Sequence, residues 1–163
     1  MNPCNTDERW MREALAEAAK AEREGEVPIG AIAVCEDKVV GRAHNIRERT
    51  HNPLGHAELL LIEELAGGRG SWRLDGVTVY VTCEPCLMCA GAMLQARVPT
   101  VVYGCPDPKA GAMGSLYDVS QDARLNHAIE VRAGVLSEEC ADLLSSFFRA
   151  RRAKRADGAH DPG

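Results

Sequence analysis

Apolar spacing divides the chain into a helical opening and then short β-branched runs that alternate with apolar helices. Trp10, Ala14, Leu15, Ala18 and Ala21 recur along one helical face, which predicts a first helix capped by Thr6 or Asp7, running to about Glu24 and ended by Gly25. Ile29–Cys35 and Val39–His44 flank a Glu36-Asp37-Lys38 turn and predict an antiparallel hairpin. Asn45–Gly55 is polar and carries Asn52-Pro53, a loop signal. Leu59, Leu60, Ile62 and Leu65 predict a buried helix from about Ala57 to Ala66, stopped by Gly67-Gly68-Arg69-Gly70. Asp75-Gly76 turns into a strand over Val77–Val81. A helix then runs from Cys86 to about Ala96, and Thr100–Tyr103 is the next strand, so the two strands are expected to be parallel. Gly104–Ser115 is a Gly- and Pro-containing loop long enough to suggest function. Ile129–Val131 reads as a last short strand, and Ser137 starts a final helix ending in Phe147-Phe148-Arg149.

No repeat and no long linker divides the 163 residues, which suffice for one hydrophobic core. The expectation is a single-domain α/β fold over residues 1–156, three-layer α/β/α with a five-stranded mixed sheet, followed by a disordered tail at 157–163. Aromatic residues are only 4%, so the core must rest on Leu, Val, Ile and Ala. No apolar run approaches membrane-spanning length, and the first residues resemble no secretory signal. Seven cysteines, two of them spaced as Cys-x-x-Cys, argue for a reducing compartment and metal binding over a disulfide framework. A cytoplasmic protein without membrane contact is therefore expected. The net charge is −5, yet Arg149, Arg151, Arg152, Lys154 and Arg155 gather five positive charges, leaving about −10 on the rest. Such a strip suits a polyanion, or is a solvated helix end favoured by the macrodipole.

Chemistry concentrates in His56-Ala57-Glu58 and Pro85-Cys86-Leu87-Met88-Cys89. Two thiols one turn apart at a helix start can face one ion, and the positive helix end favours their thiolates. His56 offers a third ligand. Three protein ligands leave a fourth position for water, the catalytic arrangement of zinc. Adding Cys83 would instead close a structural Cys₃His site, although an extended backbone there should carry its side chain away. His56 and Glu58 lie about 200° apart around a helix, so His56 must stand at or before the first turn for both to serve one centre. Glu58 is otherwise an ordinary acidic residue in a helix's first turn.

Together with Glu26-Val27-Pro28-Ile29-Gly30-Ala31, His44-Asn45, Asp107-Pro108-Lys109-Ala110-Gly111-Ala112 and Phe147-Phe148-Arg149, these motifs resemble the bacterial tRNA-specific adenosine deaminases of the cytidine deaminase-like superfamily. The motif order itself is the zinc nucleobase-deaminase signature. The resemblance implies a homodimer with one Zn²⁺ per subunit on His56, Cys86 and Cys89. Glu58 would shuttle protons in hydrolytic deamination of adenosine to inosine at the wobble position of a tRNA anticodon stem-loop. It further implies that Val27 lines the base pocket, that Asn45 and the Ala57 N–H meet base or ribose, and that Asp107 and Lys109 contact flanking nucleotides. Phe148 would stack on a loop base, and Arg149, Arg151 and Arg152 would meet phosphate. Each has a plainer reading: Asn45 as a turn cap, Ala57 as an unpaired helix-start donor, Asp107 and Lys109 as a solvated loop, Phe148 as a buried helix contact. Cys83, where a larger apolar residue is expected, and Pro106 depart from the pattern. A small-molecule deaminase and a zinc-stabilised RNA-binding module remain alternatives.

Overall fold

The computed structural model describes residues 3–158. Its elements follow as α1 (Pro3–Arg23), β1 (Gly30–Cys35), β2 (Lys38–His44), α2 (Arg47–Thr50), α3 (Ala57–Arg69), β3 (Thr78–Cys83), α4 (Leu87–Gln95), β4 (Thr100–Cys105), β5 (Glu130–Ala133) and α5 (Ser137–Gly158). The strands form one sheet in the order β2-β1-β3-β4-β5. β1 pairs antiparallel with both β2 and β3, while β3–β4 and β4–β5 are parallel. This is the expected five-stranded mixed sheet.

The strand period of two divides the core. Ala31, Ala33, Val79, Val81 and Val101 meet Ala57, Leu61 and Leu65 of α3 and Ala90, Met93 and Leu94 of α4. The alternate residues Ile32, Val34, Tyr80 and Val102 meet Trp10, Met11 and Ala14 of α1 and Cys140 of α5. Helices therefore cover both faces, as an internal parallel pair requires. α1 lies unusually close to the sheet, because a Cβ at Gly30 would collide with the Ala14 carbonyl and the Ala18 amide.

Several boundaries differ from those expected. α1 starts at Pro3 and is not capped by Thr6 or Asp7. Asp7 is instead buried, accepting the Tyr80 hydroxyl (2.8 Å) and the Arg132 guanidinium (2.7 and 2.9 Å). α3 passes through Gly67 and Gly68, which face open space, and stops at Gly70 in the left-handed region with φ 61°. Its most buried leucine is Leu61, while Leu59 and Leu60 are half-exposed. The 45–55 loop contains α2, which the sequence pattern did not reveal. The distant Glu26 carboxylate accepts the Glu48 and Arg49 amides there (3.0 and 2.6 Å). α5 continues past Arg149 to Gly158, two residues into the expected tail; residues 159–163 lie outside the described residues.

These contacts give opposite expectations for two glycine substitutions. Gly30→Ala forces α1 away from β1 and should cost about 1–3 kcal/mol or more, as overpacking does. Gly67→Ala fills empty space in a helix and should stabilise by up to about 1 kcal/mol. Urea unfolding midpoints of both variants check this.

Candidate metal centre and nucleic-acid groove

Two helix starts meet to make the centre. His56 is the N-cap of α3, with extended φ −87° and ψ 141°, so its ring is released from the helical spiral. Glu58 follows in the first turn and is 4% exposed. Cys86 is the N-cap of α4, and Cys89 is buried one turn later. His56 Nδ1 lies 3.7 Å from Cys86 Sγ and 3.6 Å from Cys89 Sγ. Tetrahedral zinc with bonds of about 2.3 Å to sulfur and about 2.0 Å to nitrogen sets that N···S separation near about 3.6 Å. The three donors lie within 4.8 Å of one another, and among the described residues they are the group with this property. Cys83 is not part of it. Its buried side chain bonds with Cys105, its register partner on β4, so the closed Cys₃His arrangement is not formed.

Electrostatics at the centre suit a cation. The Cys86 thiol is pulled down to about 4, first by a hydrogen bond from Cys89 and then, against burial, by His56. Cys89 is driven up by donating to Cys86 and by burial. His56 is raised, chiefly by its bond to Cys86. The ring and thiols thus share protons that a dication would displace. Burial pushes Glu58 up to about 7, against its backbone hydrogen bond and the His56 charge, and its carboxyl bonds with the Cys89 thiol. A carboxyl poised near neutrality beside the donors can take up and release a proton at working pH.

The loop after β4 is folded onto the same α4 entrance. Cys86 bridges Gly111, the Ala112 amide bonds the Pro85 carbonyl (2.9 Å), and the Glu84 amide bonds the Cys105 carbonyl (2.9 Å). The Glu84 side chain accepts the amides of Asp107, Met113 and Ser115 at 3.0 Å each, together with the Ser115 hydroxyl. Asp107 in turn caps the amides of Lys109 and Ala110 (3.0 and 3.2 Å). Across from this loop, Asp107 and Lys109 form a groove of about 490 Å³ with Ser145, Phe148, Arg149 and Arg152 of α5. A neighbouring groove is lined by Arg47, Arg151, Arg152 and Arg155.

Residues 4–105 match the cytidine and deoxycytidylate deaminase zinc-binding region. The tRNA-specific adenosine deaminase of Bacillus subtilis (strain 168) is 52% identical over 149 residues, spanning 91% of this chain and 92% of its own. This chain belongs to the tRNA-specific adenosine deaminase family. The family's protein from Streptococcus pyogenes serotype M1 is 42% identical over 93% of this chain and 88% of its own. A chain solved in work on A-to-I editing by tRNA:A34 deaminases superposes with a TM-score of 0.80 at 38% identity, covering 83% of this chain and 99% of that one. A guanine deaminase from Nitrosomonas europaea, with a TM-score of 0.68 and 20% identity over 86% of this chain and 83% of its own, shares the fold.

Zinc is the ion of this deaminase family, and the donor set fits it in type and spacing. Of the residues expected from sequence, His56, Cys86, Cys89 and Glu58 converge, and Asp107, Lys109, Phe148, Arg149 and Arg152 share one groove. Two expectations need correction. The Ala57 amide is not free for a base, because it donates to Asn45 Oδ1 (2.9 Å); Asn45 thereby caps α3. Phe148 is not a buried helix contact: it is 40% exposed on the groove wall. Val27 is half-buried just before β1. Arg151 turns to Glu48 of α2 (3.7 Å). The sequence pattern assigned no role to Glu84 or Glu26. The available signals were an acidic residue at the end of an apolar strand and one directly before an apolar run.

Because Cys83 stands outside the donor group, Cys83→Ala should keep one zinc per chain and Cys86→Ala should lose it, as metal analysis of purified protein will show. The clamp also predicts an acid response. Burial raises the Glu84 carboxyl, but the Ser115 hydroxyl and the three amides outweigh it, and the group lies below the ordinary carboxylate range. Its stabilisation is complete above the unfolded pKa of about 4.3 and fades as pH falls through the lower folded value. Proteolytic nicking of residues 105–115 should therefore rise only below about pH 4.

Proposed function

We propose that this protein hydrolyses adenosine at the wobble position of a tRNA anticodon to inosine and ammonia. The observation that carries the reading is the buried Glu58 carboxyl beside a three-donor group with no fourth protein donor among the described residues. Bound there, zinc would lower the pKa of a water from about 15.7 toward about 7. Glu58 accepts the proton of the attacking water and delivers it to the ring nitrogen next to the amino-bearing carbon. It then takes a second proton from the hydroxyl now on that carbon and gives it to the amino group, so that the C–N bond breaks, ammonia leaves and the carbonyl forms; one carboxylate serves twice. Its burial holds the carboxyl near neutrality, where both transfers are feasible.

The flipped base enters beside Asn45, whose Oδ1 is fixed by the Ala57 amide and whose NH₂ remains for the base or ribose. Val27 lines the base pocket. Asp107 and Lys109 meet flanking nucleotides, Phe148 offers a stacking face, and Arg149 and Arg152 meet phosphate. The Ala57 amide supports this pocket through Asn45 and makes no base contact of its own. A small-molecule deaminase would have little use for a cationic groove of this kind. We place the enzyme in the cytoplasm, and no described helix is long and apolar enough to cross a membrane. We also infer a homodimer. Leu87 and Leu125 (50% and 45% exposed) and Trp72 (60% exposed) flank a mixed polar and apolar surface that shares Gln95 and Arg97 at the α4 end, and a second copy would cover these three exposed apolar side chains.

An anticodon stem-loop bearing wobble adenosine should yield inosine and ammonia in equal amounts. Glu58→Gln should keep its zinc and lose about 10²–10⁴-fold in rate. Arg149→Ala with Arg152→Ala should raise KM at least about tenfold and flatten its salt dependence. Unchanged kinetics in the double variant would favour the small-molecule reading.

A further inference from the structure

Glu84 is almost wholly buried, yet it takes no part in the donor group. Each of its oxygens is already engaged twice: Oε1 by the Met113 and Ser115 amides, Oε2 by the Asp107 amide and the Ser115 hydroxyl. A carboxylate with both oxygens so occupied has little capacity left for a metal or a travelling proton. The close approach needs Gly111, where a Cβ would strike the Glu84 carboxylate and the Asp107 carbonyl. Beside the backbone bonds at Pro85 and Cys86, the loop thus has a buried side-chain anchor, supplied by the residue that follows β3.

We infer that Glu84 is a positioning residue that sets the Asp107–Lys109 segment against the α5 groove and thereby governs how tightly the RNA is held. The inference rests on the RNA-deaminase reading and deepens it. Pulling the Asp107 amide toward Oε2 fixes the backbone at Asp107, and the Asp107 carboxylate then fixes the amides of Lys109 and Ala110. One buried charge therefore orders, in series, the groove wall that faces Phe148, Arg149 and Arg152. Because Cys86 also bridges Gly111, the wall is kept in register with the α4 entrance.

The test is Glu84→Gln, which is nearly isosteric. The amide oxygen can keep the Met113 and Ser115 amides, and the Ser115 hydroxyl can rotate to accept. The Asp107 amide alone would face a donor. The expected result is a KM for the stem-loop raised at least about tenfold, kcat within about threefold, and one zinc per chain. Hydrogen exchange should accelerate at the Asp107, Lys109 and Ala110 amides and stay near the parent rate at 113–115. Gly111→Ala should reproduce this pattern, and Ser115→Ala, a milder change for use should Glu84→Gln not fold, should show it more weakly. A fall in kcat at unchanged KM, loss of zinc, or exchange unaltered at the Asp107, Lys109 and Ala110 amides would overturn the inference. Parent protein that makes no inosine would refute the functional reading, while the exchange pattern would still judge the clamp.

Discussion

Everything in this molecule depends on holding two helix starts close enough for three soft donors to reach one point. Brought this close, the half-buried Cys86 thiol, the buried Cys89 thiol, an imidazole and a buried carboxyl compete for protons. The Cys86 thiol is pulled down while Cys89 and His56 are raised, as donors sharing protons would be. The scaffold answers with packing. Leu61 and Leu65 of α3 and Met93 and Leu94 of α4 bury against the same sheet face, so the helices cannot slide apart without exposing core. Each fully buried leucine or methionine contributes on the order of 2 kcal/mol to that constraint.

The backbone does as much as the side chains. His56 and Cys86 are both N-caps with extended ψ, residues that belong to neither loop nor helix. This lets an imidazole and a carboxyl two positions apart address one centre, which a regular helix would forbid. Both α3 and α4 also aim their positive ends toward the centre, which favours thiolates over thiols. The second buried carboxylate, Glu84, ties the following loop to the same corner. The short stretch Glu84–Cys89 thus supplies two of the three donors and an anchor for the loop that forms one wall of the groove.

The sheet, its parallel and antiparallel pairs and the converging His-x-Glu and Cys-x-x-Cys motifs were legible in the sequence because each is local. Periodicity marks the strands, and spacing marks the ligands. What escaped depends on partners far along the chain. Asp7 looked like a cap, but Tyr80 and Arg132 draw it inward. α2 exists because Glu26 reaches its first amides, and no pattern within 45–55 reports that. Gly67 and Gly68 looked like a stop, yet glycine ends a helix only where the left-handed turn is also satisfied, here at Gly70. Phe148 looked like core by residue type, and only the placement of α5 over the 107–109 loop makes it a groove wall. The Ala57 amide looked free until Asn45, twelve residues earlier, proved to hold it.

Among the described residues, His56, Cys86 and Cys89 alone come together beside Glu58 as donors for one ion. X-ray absorption at the zinc edge of the purified, metal-loaded protein counts them. Two sulfur neighbours and two nitrogen or oxygen neighbours are expected, one of them lost or shifted when a substrate analogue binds. Three sulfur neighbours, with a shell unmoved by the analogue, would mean that Cys83 closes the site and would refute an open position for water.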